Sequence, residues 1–249
     1  MKSPLIFIMA IVITACVGCK KMQVAEVNTA ISIEESANMI AGALSSSTNG
    51  LNTLATDVTN CSFKLYKNSV GCGAIISDSI SRQSAPGSAT TFNFTSKIVS
   101  TVNCNTNNQY QSVSSAAAFK GQYYGLKLSS QGNGSANTTV TGLGDAAPAF
   151  IVNGQLKNMC GFKMNADTTR KGTISINIGL TNLTIAKSTA TVPATITAGT
   201  ATASVTGNSP KGAFLFEGKL TFNGFNDATL VISKETYTIN LATGAVAKR

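Results

Sequence analysis

The stretch TFNFTSKIVSTVNC, residues 91–104, decides the fold class of this chain. Within it Phe94, Ile98 and Val102 share one parity, while polar residues such as Lys97 occupy the other. Because successive side chains of a β-strand point to opposite faces, this period of two predicts a long strand with one buried and one solvated face.

Alternation of the same kind recurs along the rest of the chain. It predicts further strands at 124–128, 174–180, 200–206, 213–223, 228–233 and 235–241. The links between the last four are short, which favours antiparallel neighbours in a meander. Asn153-Gly154 predicts another hairpin, and a change of parity near Thr181-Asn182 predicts a β-bulge. The polar stretches 105–109 and 129–139 are predicted as loops.

A helical period occurs in the segment 32–46, SIEESANMIAGALSS. Ser32 and Glu35 have the S-x-x-E spacing of a capping box, which predicts that the helix begins there. Asn49-Gly50 is expected to end this helical region. A second, shorter helical turn is predicted at 51–58.

Together these segments predict a mainly β fold, in which a large antiparallel meander sheet carries the N-terminal helix packed on it. A sheet of roughly ten to twelve strands must curl or split, so a sandwich and a curved half-barrel are both consistent with the sequence. No Pro-rich linker divides the β region. We therefore expect residues 32–249 to form a single domain.

The composition excludes several kinds of chemistry. The chain has 249 residues, of which 12% are charged, and it contains no His. A Ser-His-Asp triad and a zinc site with His ligands are therefore excluded. The ten acidic residues are dispersed, and a glycosidase-like pair could arise only by folding, for example between Glu217 and Asp227. We expect no enzyme, and hence no catalytic residues, no metal site and no cofactor.

The N-terminus has the layout of a secretory signal. Lys2 precedes the apolar run Pro4–Thr14, which is too short to span a bilayer as a helix. The residues ITAC at 13–16 resemble the lipobox of bacterial lipoproteins, in which the Cys is acylated and becomes the first residue of the mature chain. The resemblance implies that Cys16 is lipidated, with Cys19 as the alternative site.

The same resemblance implies a signal peptide at 1–15 and a lipid anchor with its linker at 16–31. It places the protein in the bacterial cell envelope, anchored by acyl chains such as palmitate in the outer membrane, with the domain on the periplasmic or surface face. The Thr-rich stretch 199–246 resembles the C-terminal region of uncharacterised envelope lipoproteins, and this likeness implies no activity.

Export also means an oxidising compartment, which makes the remaining cysteines disulfide candidates. These are Cys61, Cys72, Cys104 and Cys160, and four cysteines allow three connectivities. We interpret residues 61–72 as two short strands around a turn, which favours Cys61 with Cys72 and leaves Cys104 with Cys160. Because no CxxC spacing occurs among the four, a zinc site is not expected.

The formal net charge of +9 raises the question of anionic partners. Its one local enrichment consists of Lys157, Lys163, Arg170 and Lys171. No stacking aromatic residues are interleaved with this cluster, and we do not expect nucleic acid as a partner. The cluster predicts either a solvated hairpin face or a contact for anionic lipid or polysaccharide.

The leading hypothesis is therefore a lipid-anchored envelope protein that acts as a non-enzymatic binding or structural module. Its partners would be the membrane, through the anchor, and an envelope protein, polysaccharide or lipid. One alternative is a carrier of an apolar or lipid ligand, held in a cavity between sheet and helix that phenylalanines line. The expected lining residues are Phe92, Phe94, Phe214, Phe216 and Phe222. The second alternative is an envelope hydrolase that uses a carboxylate pair.

Overall fold

The structure, a computed structural model, describes residues 30–188 and 194–249. The expected signal peptide and both candidate lipidation sites, Cys16 and Cys19, lie outside the described residues. The described part consists of a helical hairpin followed by one large sheet.

Two α-helices, joined by a short 3₁₀ turn, precede the sheet. Helix α1 spans Ile33–Leu44, the 3₁₀ turn spans Ser46–Thr48, and helix α2 spans Leu51–Lys67. The Glu35 amide donates to Ser32 Oγ (3.1 Å), and the Ser32 amide donates to Glu35 Oε2 (2.7 Å). The predicted capping box is confirmed, and it satisfies two amides that have no partner within the helix.

Eleven strands form one antiparallel sheet, in which each strand pairs with its neighbours in sequence. The strands are β1 (Ile75–Gln83), β2 (Thr91–Cys104), β3 (Tyr110–Tyr124), β4 (Leu128–Thr141), β5 (Ala149–Met164), β6 (Lys171–Ala186), β7 (Ile196–Ser209), β8 (Gly212–Gly224), β9 (Asp227–Ile232), β10 (Glu235–Asn240) and β11 (Val246–Lys248). The predicted mainly β meander is confirmed. Because every strand belongs to one open sheet with β1 and β11 at its edges, the sandwich alternative is wrong.

The sheet is strongly curved. Leu126, in the link between β3 and β4, and Ala245, in the link between β10 and β11, line the same crevice. In a flat sheet these links would lie roughly 30 Å apart, because neighbouring strands are about 4.8 Å apart. The curvature brings the link between β3 and β4 close to the link between β10 and β11.

The helices cover the face of the sheet that carries the apolar parity. Ile98 and Val102 of β2 belong to this core, as do Ile176 and Ile178 of β6. The alternation in residues 91–104 therefore identified the buried face correctly. Burial of this continuous apolar face is the main stabilising contribution to the fold.

Helix α2 continues to Lys67, so the two short strands expected at 61–72 are wrong. Leu54, Val58 and Leu65 follow one another at helical spacing, and all three are buried against the sheet. This apolar stripe stabilises a helix of 17 residues, about twice the length predicted at 51–58.

Two predictions about the middle of the sheet are also wrong. Residues 124–128 contain the link between β3 and β4, where the Gly125 amide donates to the Leu128 carbonyl (3.0 Å). The segment 129–139, predicted as a loop, is part of β4 and pairs on both sides. Its polar composition is misleading because the Phe119 ring of β3 covers Gly134. The nearest ring atoms lie 2.4 Å from the position that a Cβ on Gly134 would take.

The two predicted irregularities have different outcomes. Asn153-Gly154 lies inside β5 rather than in a hairpin turn, and the pairing with β6 shifts register between Val152 and Gly154. The β-bulge predicted near Thr181-Asn182 is confirmed, since the pairing of β6 with β7 shifts after Thr181.

Candidate lysine face and inner cavity

The face of the sheet that points away from the helices is polar and basic. Over strands β2–β8 its charged residues are Lys97, Lys120, Lys157, Lys163, Lys171, Lys219 and Glu217. All seven are exposed, and none of the six lysines forms a salt bridge within the described part of the chain. We call this surface the lysine face.

Hydroxyl and amide side chains occupy much of the area between these lysines. One shallow depression is lined by Thr101, Asn137 and Asn153 among others, and a second by Asn177 and Thr202 among others. Such groups both donate and accept hydrogen bonds. The lysine face can therefore contact a ligand that carries many hydroxyl groups as well as negative charge.

The basic cluster predicted from the sequence is divided between two faces. Lys157, Lys163 and Lys171 lie on the lysine face, with Lys163 and Lys171 directly opposite each other on β5 and β6. Arg170 instead pairs with Glu35 of α1, at 2.8 Å between Nη1 and Oε1. Arg170 therefore joins the hairpin between β5 and β6 to the helix and is not part of the lysine face.

A small inner cavity of about 50 Å³ lies between the helices and strands β2–β5. Its larger lining residues are Thr48, Asn49, Leu54, Phe94, Phe119, Tyr123, Ser130, Leu156, Asn158 and Cys160. Gly121 and Gly132 face it from β3 and β4, and Gly42 faces it from α1. The cavity thus has apolar walls with a few polar groups, which is the usual composition of a small-molecule site.

Asn49 is the most unusual of these residues. It is 4% exposed, and its Nδ2 has no hydrogen-bond partner among the described residues. Its backbone is left-handed, with a φ of 56°, a conformation that Asn tolerates better than most residues. The backbone explains why Asn stands here but leaves the buried amide unexplained, since a buried donor without an acceptor costs about 1–3 kcal/mol.

Cys160 and Tyr123 supply two further donors to the same cavity. Burial raises the pKa of the Cys160 thiol, an effect that a hydrogen bond with Ser130 partly offsets. Burial also raises the pKa of Tyr123, and a charge on the neighbouring Cys160 would raise it further. Both groups are therefore protonated donors at neutral pH.

These raised pKa values predict that the protein loses stability at alkaline pH. Below the ordinary thiol pKa of 9.0 both states hold the proton, whereas above it the unfolded chain ionises before the folded protein. The free energy of unfolding should then fall by up to about 1.4 kcal/mol per pH unit for each group. Urea unfolding of wild type and Cys160→Ala across pH 8–11 measures the thiol contribution. Parallel curves for the two proteins would contradict it.

A crevice of about 270 Å³ opens beside the inner cavity. It is lined by Asn38 of α1, by Leu126 and Leu128 next to the link between β3 and β4, and by Val246 of β11. Lys127 stands at the same place, paired with Glu34 at 3.3 Å. The crevice is mainly apolar and reaches the surface between the link of β3 with β4 and strand β11.

The five phenylalanines expected to line a carrier cavity do not do so together. Only Phe94 of the five lines the inner cavity. Phe214 instead packs edge-on against Phe162, with 6.1 Å between the ring centroids, and Phe222 is buried in the core. The space between helices and sheet is largely filled, which counts against a carrier for long-chain lipids.

The candidate carboxylate pair is not brought together. Asp227 pairs with Gly224, whereas Glu217 lies seven residues farther along β8. A rise of about 3.3 Å per residue separates the two by roughly 20 Å, well beyond the 5–9.5 Å of glycosidase pairs. In the part of the chain that the structure describes, no three metal-ligating side chains cluster.

The disulfide pairing favoured by the sequence is wrong. Cys72 is bonded to Cys104, while Cys61 and Cys160 are free thiols. Cys61 lies within α2, with its Sγ 3.7 Å from Ser100 Oγ, because the helix extends past this residue. The expected hairpin that would have brought Cys61 to Cys72 therefore does not form.

Comparisons with protein-family models, with curated proteins and with solved structures found no match for this chain. None of the described helices is long and apolar enough to cross a membrane. The lysine face, the inner cavity and the N-terminal sequence are therefore the features from which a function can be inferred.

Proposed function

We propose that this protein is a lipid-anchored, non-enzymatic binding module of the bacterial cell envelope and that its lysine face holds an acidic polysaccharide. Cys16, or Cys19 in its place, would carry the acyl chains, and the domain would extend from the outer membrane. The observation that carries the proposal is the charge of the lysine face. There, six lysines that form no salt bridge with any described residue accompany a single carboxylate.

The pair of Lys163 and Lys171 is the strongest single support for this proposal. Like charges directly opposite each other on neighbouring strands destabilise a sheet, by an amount on the order of 0.2–1 kcal/mol. The two residues are direct partners on β5 and β6, and no acidic side chain pairs with either among the described residues. A bound anion would remove this repulsion, so the arrangement favours a surface that binds negative charge.

Hydroxyl and amide groups favour a polysaccharide over a lipid bilayer as the anion. Proteins that lie on bilayers insert contiguous apolar side chains. On the lysine face the exposed apolar residues Met159 and Leu215 are separated by two intervening strands carrying Ser175 and Thr206. Hydrogen bonds to sugar hydroxyls together with lysine contacts to carboxylates use the groups that this surface does offer.

Charge reversal tests the proposal. We expect Lys163→Glu with Lys171→Glu to weaken binding of polygalacturonate more than tenfold, since each lysine near an anionic surface contributes about 1 kcal/mol. The matched control is Lys64→Glu with Lys67→Glu, which makes the same change of charge at two exposed lysines of α2, on the opposite side of the sheet from the lysine face. Binding is measured by calorimetry at several salt concentrations, with neutral dextran as the uncharged polysaccharide.

The outcomes separate the acidic polysaccharide from other partners. Wild-type binding to polygalacturonate should fall steeply with added salt, and dextran should not bind. Equal losses in the two double variants would overturn the assignment to the lysine face. Tighter binding to phosphatidylglycerol vesicles than to polygalacturonate would show that the partner is a membrane surface instead.

The anchor is tested separately, in the intact cell. Mass spectrometry of the mature N-terminus should find acyl chains on Cys16, and Cys16→Ser should release the protein from the membrane fraction. Acylation that persists in Cys16→Ser would place the lipid on Cys19. A mature protein that retains Met1 and carries no acyl mass would contradict the proposed location.

A further inference from the structure

The inner cavity and the crevice are neighbours that share part of their lining. Both spaces are lined by Gly42, Thr48 and Tyr123. The Tyr123 hydroxyl lies only 2.2 Å from the position that a Cβ on Gly42 would take, so it occupies the space left by the missing side chain. No hydrogen bond within the described residues holds this hydroxyl. Rotation of the Tyr123 side chain about its Cα–Cβ bond would move the hydroxyl away from Gly42 and join the two spaces.

The inner end of this combined space is neutral and rich in donors. Asn49 Nδ2 has no partner among the described residues, and the Cys160 thiol and the Tyr123 hydroxyl line the same cavity. No charged side chain lines it, and a buried charge there would be strongly unfavourable. A ligand that fits must therefore present a neutral hydrogen-bond acceptor to Asn49. The outer part, lined by Leu126 and Val246, suits an alkyl group.

We propose that the inner cavity and the crevice form one binding site for a small neutral amphiphile. Its carbonyl or hydroxyl oxygen accepts a hydrogen bond from Asn49 Nδ2, which is itself fully buried, so the Asn49 side chain must turn toward the cavity when the ligand binds. The alkyl part of the ligand lies along the crevice. The volumes of about 50 Å³ and 270 Å³ fall together at the lower end of small-molecule sites, which start at roughly 300 Å³. The site lies on the opposite side of the sheet from the lysine face, so it does not depend on the proposed polysaccharide binding.

The test uses two probes that differ only in the acceptor, 2-heptanone and heptane. The readout is the rate at which iodoacetamide alkylates Cys160 in the full chain, followed on the Cys160 peptide by mass spectrometry. We expect 2-heptanone to slow this alkylation at lower concentration than heptane does. Asn49→Gly should weaken protection by 2-heptanone about tenfold, the effect of one lost hydrogen bond, and leave protection by heptane unchanged.

Glycine is the appropriate replacement because it adopts the positive φ of position 49 without strain. A second variant, Ala43→Val, places two methyl groups at the cavity wall and should abolish protection by 2-heptanone. Ala118→Val, at an exposed position of β3 on the lysine face, is its matched control and should behave as wild type. Urea unfolding of each variant confirms that it is folded.

Three results would overturn the proposal. In the first, 2-heptanone and heptane protect Cys160 equally in the wild type. In the second, Asn49→Gly raises the urea midpoint but leaves protection by 2-heptanone unchanged, which would make the unpaired amide a purely structural defect. In the third, the cationic analogue heptylamine protects as well as the ketone, which would contradict a neutral inner end.

Discussion

Replacing Gly132 by alanine is expected to destabilise the protein by about 3 kcal/mol or more, a large fraction of the roughly 5–15 kcal/mol by which a typical native protein is stable. A Cβ at this position would lie 2.1 Å from the Met159 carbonyl oxygen and 2.4 Å from the Cys160 Cβ. The closest of these atoms belongs to the backbone of the neighbouring strand β5. It can move only if the pairing of β4 with β5 moves, and that pairing extends over 14 residue pairs.

The matched control is Gly161→Ala on the facing strand. A Cβ there would have its nearest neighbours at 3.8 Å and 3.9 Å, which is ordinary contact, and the residue is exposed on the lysine face. We expect this change to alter the free energy of unfolding by less than about 1 kcal/mol, because alanine costs less conformational entropy than glycine in a strand. Urea unfolding of both variants provides the comparison. A Gly132→Ala protein as stable as the control would contradict the close approach of the strands.

The strand period could be predicted because it is a local property of the chain. Every second residue from Phe94 to Val102 is buried, so all of them point to the same face of the sheet. This one segment is therefore enough to identify the strand and its buried face. The segment 129–139 lacks such a signal. Its Gly134 is compatible with a strand because the Phe119 ring from β3 covers it, and no pattern within the segment indicates that cover.

Helix α2 was underestimated for a different reason. Thr59 and Ser62 occupy buried positions of the helix, where a sequence pattern leads one to expect apolar residues. Their hydroxyls donate to the carbonyls of Ala55 (2.9 Å) and Val58 (2.6 Å), so both polar groups are satisfied inside the helix. The sequence shows the polar residue type but not the hydrogen bond that makes its burial acceptable.

The lysine face could be predicted in part from the sequence, whereas the inner cavity could not. Alternation places Lys97 on the solvated parity of its strand, and the sequence itself singled out Lys157, Lys163 and Lys171 as a cluster. The inner cavity could not be predicted, because its lining comes from both helices, the 3₁₀ turn between them and four strands, which meet only in the folded chain. Asn49-Gly50 carried the one local signal, and it indicated the end of a helix rather than a site.

The disulfide gives the second large prediction. Cys72, just beyond α2, is bonded to Cys104 at the end of β2, with a sequence separation of 32. In the chain-entropy model a loop of that length stabilises the folded state by about 3–4 kcal/mol, because the closed loop restricts the unfolded chain. We therefore expect Cys72→Ser with Cys104→Ser to lower the free energy of unfolding by this amount. Added dithiothreitol should lower it equally in the wild type and have no effect on the double variant.

Cys61→Ser is the control, since serine can keep the contact that Cys61 Sγ makes with the Ser100 hydroxyl at 3.7 Å. This variant should retain the disulfide and lose less than about 1 kcal/mol. Peptide mapping of the unreduced protein decides the pairing independently of stability. A Cys61–Cys72 crosslink would require the last two turns of α2 to unwind, so its detection would contradict both the disulfide and the helix that separates these two residues.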